Sequence, residues 1–298
     1  MQEREKNMCD ELTNRETEQF LLAQGLTRRD FSKGGIAATL AMMVSAPAGA
    51  LDVVEQEVMV ETPDGLMDGF FVHPAEGTHA AVIVWPDIVG IRPGFRAMGA
   101  RLAKSGYSVL VVNPYYRTHV GQIVPDGKTF RDPGIREMLM PHARSLSPRT
   151  CVSDGKALVS WLDSQASVDA SRKIGTTGYC MTGSYTMRLA AAIPDRIGAG
   201  GSFHGGGLAT DEEDSPHLLA PQMRASFLIA IAENDDERRP EEKHRLREAF
   251  DSAGVEAEIE VYKGTLHGWC PPDSAVYNED QAERAWDRLL ALFDRELA

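Results

Sequence analysis

Short β-branched runs alternate with amphipathic stretches along most of the chain, and this alternation predicts an α/β fold on a mostly parallel, doubly wound sheet. Two further observations support it. The central runs are apolar without a break, as strands buried on both faces require. No internal repeat, low-complexity tract or linker divides the chain beyond residue 50, so one domain is expected over residues 51–298.

The elements follow in order. Val53–Val60 and Gly69–His73, joined by Pro63-Asp64-Gly65, read as an antiparallel hairpin that opens the sheet. Ala80–Trp85, Val109–Val112, Lys173–Thr177, Ile197–Phe203 and Phe227–Ala232 read as central strands, and Ile259–Tyr262 closes the series. Helical spacing of apolar residues appears at Phe95–Lys104, Val152–Ser164, Thr182–Ala192, Glu241–Ala253 and Glu279–Glu296. Residues 114–149 read as a long, loop-rich segment after the fourth strand.

The 298 residues are 43% hydrophobic and 25% charged, an ordinary globular composition. A net charge of −13 argues against binding to nucleic acid or to anionic membranes, since both repel an acidic surface. A small-molecule partner is the remaining expectation. The sequence implies no cofactor or metal: four cysteines without a Cys-x-x-Cys pair suggest neither a disulfide scaffold nor structural zinc. The composition does not bear on oligomeric state.

The first fifty residues read as an export signal. A polar, charged stretch runs into Thr27-Arg28-Arg29-Asp30-Phe31-Ser32-Lys33, followed by the uncharged Gly34–Val44 and then Ala46-Pro47-Ala48-Gly49-Ala50. Eleven uncharged residues fall short of the roughly 20 that a membrane-spanning helix needs. Charged, apolar and small-residue regions in that order mark a cleaved leader. The paired arginines resemble the twin-arginine signal, with Ser32 where that pattern has Leu. Cleavage is expected after Ala50, giving a periplasmic or secreted protein with no membrane span; the alternative is an amino-terminal helix of a cytoplasmic protein. Loss of Cys9 would leave Cys151, Cys180 and Cys270, an odd number, so at least one thiol within each chain stays unpaired.

In doubly wound sheets ligands lie beyond the carboxyl ends of the strands. Gly178-Tyr179-Cys180-Met181-Thr182-Gly183 follows a strand and opens a helix, the setting of the nucleophile elbow of the α/β-hydrolases with sulfur in place of the serine oxygen. A helix amino terminus also favours the thiolate. Thr182 stands where a second glycine is usual, and Gly183 is placed to take over its role. Downstream, Asp235 and Asp236 follow one strand and His267 follows the last, the order of a nucleophile, acid and histidine triad. In such a triad His267 exchanges a proton with Cys180, and the acid fixes the imidazole's tautomer and orientation. Asp235 is the first acid after its strand; one residue of loop slack would exchange it for Asp236.

These residues resemble the dienelactone hydrolase family over about residues 55–297. The specific matches are Trp85-Pro86-Asp87-Ile88-Val89-Gly90, Asn113-Pro114-Tyr115-Tyr116-Arg117, Gly178-Tyr179-Cys180-Met181 and His267-Gly268-Trp269. The resemblance implies an α/β-hydrolase fold without a separate cap, and a Cys-His-Asp triad that opens lactones or cleaves activated esters. It implies that Asp87 contacts the resting thiol, and that the Met181 and Ile88 backbone N–H groups form the oxyanion hole. Members of the family carry an arginine shortly after the histidine that binds the lactone's carboxylate; this chain reads Trp269-Cys270-Pro271-Pro272-Asp273 there.

Residues 114–149 hold six Lys or Arg against three Asp or Glu. Arg117 and Arg136 are therefore candidates to hold a substrate carboxylate, the alternative being a solvated charged loop. Tyr115, Tyr116, Tyr179 and Trp269 are candidates to line an apolar pocket, the alternative being core packing. Two other function classes stay open at this level: a catalytically poor small-molecule binder, and a thiol redox protein pairing Cys180 with Cys151 or Cys270.

Overall fold

The structure is a computed structural model that describes Glu16, Gln19 and residues 49–298. The paired arginines Arg28 and Arg29, the apolar run at 34–44 and Cys9 lie outside the described residues. Among the described residues no helix is long and apolar enough to cross a membrane.

Eight strands form one sheet in the order β1-β2-β4-β3-β5-β6-β7-β8. β1 (Val53–Thr62) and β2 (Gly65–Pro74) make an antiparallel hairpin, and β2 also runs antiparallel to β4 (Ser108–Val112). Glu55, Glu57 and Glu61 on β1 keep this edge charged, which discourages pairing with another chain. From β3 (Ala81–Trp85) onward all pairs are parallel: β5 (Ile174–Tyr179), β6 (Ile197–Phe203), β7 (Ser226–Ala232) and β8 (Ala257–Tyr262).

Alternate residues of the central strands feed two cores. Val82, Val84, Val109 and Val111 pack with Phe95 and Leu102 of α1 (Pro93–Lys104) and with Leu289 and Phe293 of α7 (Glu279–Glu296). Ile83, Trp85, Leu110 and Val112 face the other way, toward Leu158 of α3 (Pro148–Asp163), Leu189 of α4 (Gly183–Ala192) and Phe250 of α6 (Glu242–Ala253). At roughly 1.5–3 kcal/mol for each buried aliphatic or aromatic side chain, these two layers dominate the fold's stability. Cys151 belongs to one core and Cys270 to the other, so a disulfide between them would have to pass through the sheet.

The order of elements follows the expectation, with differences at helix starts and in three short pieces. α1 and α3 begin two and four residues earlier than their apolar spacing suggests, each with a proline in its first turn. Ser147 and Thr150 close a capping box on α3. Inside the segment read as loop, α2 (Ile135–Ala143) packs Ile135 and Leu139 against Val124 and Val89. Gly134 before it and Pro141 within it hide so short an apolar stripe. A 3-10 turn at Pro216–Gln222 and the six-residue α5 (Glu233–Arg238) were likewise not legible; α5 carries three acids in its first turn and no apolar period.

β3 pairs with β4 on one side and β5 on the other, so the chain reverses its direction of travel across the sheet there. The crevice at such a switch point is where doubly wound sheets take ligands. Trp85 at the end of β3 lies in register with Gly178 of β5, which sets the two loops at their exits side by side.

Candidate active site

Cys180 follows β5 and starts the turn into α4 with φ of 57°. A left-handed conformation costs a residue bearing a Cβ roughly 1–2 kcal/mol, so the surrounding structure must impose it. A Cβ on Gly178 would stand 2.1 Å from the Thr182 carbonyl oxygen. One on Gly183 would stand 2.6 Å from the Gly205 Cα. Gly183 thus supplies the close approach for which Thr182 is unsuited. Thr182 does something else: its buried hydroxyl accepts from the Tyr179 N–H at 2.9 Å and lies 2.9 and 3.0 Å from the Trp85 and Pro86 carbonyls. It joins the elbow to the β3 exit.

His267 follows β8 and is buried, as is Cys180. Its Nδ1 donates to Asp235 Oδ2 at 2.7 Å, since a carboxylate can only accept. Its backbone N–H donates to Asn234 Oδ1 at 2.9 Å, so the first turn of α5 holds both the ring and the main chain. Asp236 is engaged elsewhere: Lys243 Nζ reaches both its oxygens at 2.6 Å. Nε2 of His267 is buried, and Cys180 lies near enough to act on the ring. Burial opposes charge on this imidazole, but Asp235 and Cys180 outweigh it and hold its proton affinity well above the ordinary histidine range.

His204, immediately after β6, was not singled out from sequence. Its ring centroid is 5.0 Å from that of His267, the two rings nearly perpendicular. It is fully buried with φ of 39°, and among the described residues neither ring nitrogen has a hydrogen-bond partner. Burial, reinforced by His267 and Arg92, pushes its pKa well below the usual value, so this imidazole stays neutral.

Asp87, at the β3 exit, is held by two partners. Arg92 Nη1 and Nη2 meet its Oδ1 and Oδ2 at 2.7 and 3.0 Å, and the Val89 N–H donates to Oδ1 at 2.9 Å. The Asp87 carboxylate is thus fixed by a guanidinium fork and a backbone N–H at the β3 exit. The next residue, Ile88, is fixed through its carbonyl, which accepts from the Tyr115 hydroxyl at 2.8 Å. Tyr115 also lies 4.0 Å from the Met181 sulfur, so it braces both residues expected at the oxyanion hole.

Of the remaining candidates, Tyr116, Tyr179 and Trp269 are engaged in packing or structural hydrogen bonds rather than lining an open pocket. The Arg117 guanidinium is occupied by Asp154 and Asp64, at 2.7 and 2.6 Å, and stacks on Tyr116. The Tyr116 hydroxyl bonds Asp154 and Thr62, so both residues tie the first hairpin to α3. Trp269 is fully buried and stacked on Tyr262 in the α1/α7 core, as Tyr179 is on Phe203. Arg136 lies in the first turn of α2, its Nε buried without a partner. Among the described residues Cys151, Cys180 and Cys270 form no disulfide, and burial pushes the Cys151 and Cys270 thiols well up. Among the described residues no group of three or more His, Cys, Asp or Glu is placed to hold a metal ion. Glu16, one of the two described residues before 49, accepts from Asn234 Nδ2 at 2.7 Å, beside the His267 loop.

An eight-stranded sheet of this order, with Cys180 on a strained turn after β5 and a His267–Asp235 pair after β8 and β7, defines the α/β-hydrolase class. The sequence profile of the dienelactone hydrolase family matches residues 67–297, and the chain belongs to that family. A carboxymethylenebutenolidase of Rhodococcus opacus is 26% identical over 229 residues, covering 74% of this chain and 83% of that one. A candidate carboxymethylenebutenolidase of Synechocystis is 24% identical over 83% of this chain and 99% of its own length. In fold, a candidate dienelactone hydrolase of Klebsiella pneumoniae superposes with a TM-score of 0.70 at 24% identity, covering 82% of this chain and 99% of that one.

Proposed function

We propose that this hydrolase opens lactones or cleaves small activated esters through a cysteine thioester. The observation that carries the reading is the strained Cys180 elbow facing an imidazole that Asp235 already holds through Nδ1. The Cys180 thiolate attacks the carbonyl carbon, and the developing oxyanion takes hydrogen bonds from the Met181 and Ile88 N–H groups. The carbon–oxygen bond to the leaving group breaks as the His267 imidazolium gives that oxygen its proton, leaving a thioester. Water then gives a proton to His267 and attacks the thioester, and the thiolate departs as His267 regains its charge. Because a thiolate leaves more readily than an amine, amides return to reactants and activated esters or enol lactones go forward.

The test uses 4-nitrophenyl butanoate and a dienelactone with wild type, Cys180→Ala and His267→Ala. Turnover that survives both substitutions contradicts the reading. We further propose export by the twin-arginine route on the strength of residues 27–50. Mature protein starting at Leu51, recovered outside the cytoplasm, is the expected result; an intact amino terminus on cytoplasmic protein would contradict it.

A further inference from the structure

Arg92 sits in the turn between β3 and α1, and it joins three pieces of chain that meet at the site. Its Nη atoms grip Asp87, one residue before Ile88. Nη1 also reaches the Gly90 carbonyl at 3.3 Å. On the other side, Nε donates to Asp273 Oδ2 at 3.1 Å, and Asp273 belongs to the loop that begins at His267. The same Asp273 oxygen accepts from the Gly94 N–H at 3.0 Å, capping α1. Gly94 permits this approach, because a Cβ there would fall 2.3 Å from the Asp273 carboxyl carbon. The guanidinium stacks on Phe95 with Cζ 4.8 Å from the ring centroid. Burial opposes its charge, and Asp273 and Asp87 more than offset that. Among the described residues Asp273 Oδ1 is buried without a hydrogen-bond partner, and Arg92 is the cation paired with this carboxylate.

We propose that Arg92 is a positioning residue that fixes the loop bearing the Ile88 N–H against the loop bearing His267, setting oxyanion donor and proton carrier relative to one another. It rests on the hydrolase reading above. The planar fork is needed: two carboxylates approach it in different directions, and a lysine offers a point charge that cannot hold both geometries. The benefit appears where charge develops on the carbonyl oxygen, so its loss falls on kcat rather than on substrate binding. Attack of Cys180 on iodoacetamide needs no oxyanion donor and serves as the internal control.

Arg92→Lys is compared with wild type for kcat and KM on 4-nitrophenyl butanoate, for alkylation of Cys180 by iodoacetamide and for melting temperature. The expected result is a kcat lower by at least about thirtyfold with KM and alkylation rate within about threefold, since a displaced oxyanion donor acts mainly in the transition state. Asp87→Asn, which keeps the size of the side chain but loses the second acceptor, is expected to lower kcat about tenfold with the same unchanged alkylation. In Arg92→Ala, millimolar guanidinium is expected to restore part of the lost kcat, which a misfolded protein would not show. A kcat within threefold of wild type in Arg92→Lys, or alkylation falling in step with kcat in both variants, overturns the inference. Absence of Cys180-dependent turnover in wild type overturns the hydrolase reading and this inference together; Cys180-dependent turnover with Arg92→Lys unaffected overturns the inference alone.

Discussion

His267 and Asp235 are joined by a 2.7 Å hydrogen bond from Nδ1 to Oδ2, while Asp236, one residue further, gives both its oxygens to Lys243. The expected consequence is a sharp asymmetry. Asp235→Asn should lower kcat/KM on an aryl ester by about 10² to 10⁴, because a carboxamide no longer fixes the tautomer or supports the imidazolium. Asp236→Asn should leave it within about threefold, the ion pair to Lys243 being partly exposed. Equal losses in the two variants would contradict the assignment.

The two neighbouring histidines titrate in opposite directions, and this governs acid stability. His204 is depressed, so as pH falls below about 6.5 the unfolded chain takes up a proton that the folded site refuses, and stability is lost. His267 is raised; its contribution is complete below about 6.5 and fades as pH rises through the higher folded value. His204→Asn, which tolerates the positive φ, should therefore lose less melting temperature between neutral and mildly acidic pH than wild type. A steeper loss would contradict it.

Thr182 joins the elbow to the β3 exit. Thr182→Val keeps its shape but leaves the Tyr179 N–H and two carbonyls without that partner. Urea unfolding should show a loss of about 1–3 kcal/mol, the cost of unsatisfied buried groups. Activity should fall as well, since the Ile88 loop and the elbow lose their shared anchor.

Arg117 is a structural cation. Arg117→Ala should leave KM for an anionic lactone unchanged while lowering stability by about 3 kcal/mol, because the buried Asp154 loses its counter-ion. A raised KM without loss of stability would return Arg117 to the substrate site.

The sheet was legible because strands buried on both faces must be continuously apolar, as Phe227–Ala232 is, and helices packed on one face must repeat, as Glu279–Glu296 does. The position of Cys180, Asp235 and His267 at strand exits was legible because the strands before them are. Arg92, Asp273 and His204 were not: the first two meet across 181 positions in sequence, and a buried pair at that separation leaves no local pattern. A single histidine after a strand carries no signal of which ring it will face. Arg92 carries only a weak cue, its place just beyond the β3 exit, and is masked by the denser run of cations in residues 114–149. Trp269 and Tyr116 were ambiguous because large aromatics serve cores and pockets with the same residue types.

In the proposed mechanism Cys180 carries the acyl group. Wild-type protein mixed with 4-nitrophenyl butanoate and quenched in acid within the first turnovers should show, by intact mass and peptide mapping, one butanoyl group on Cys180 that hydroxylamine removes. Cys180→Ala should show neither the adduct nor turnover. Turnover by Cys180→Ala at a rate near wild type, or a butanoyl group mapped to another residue, would contradict the account.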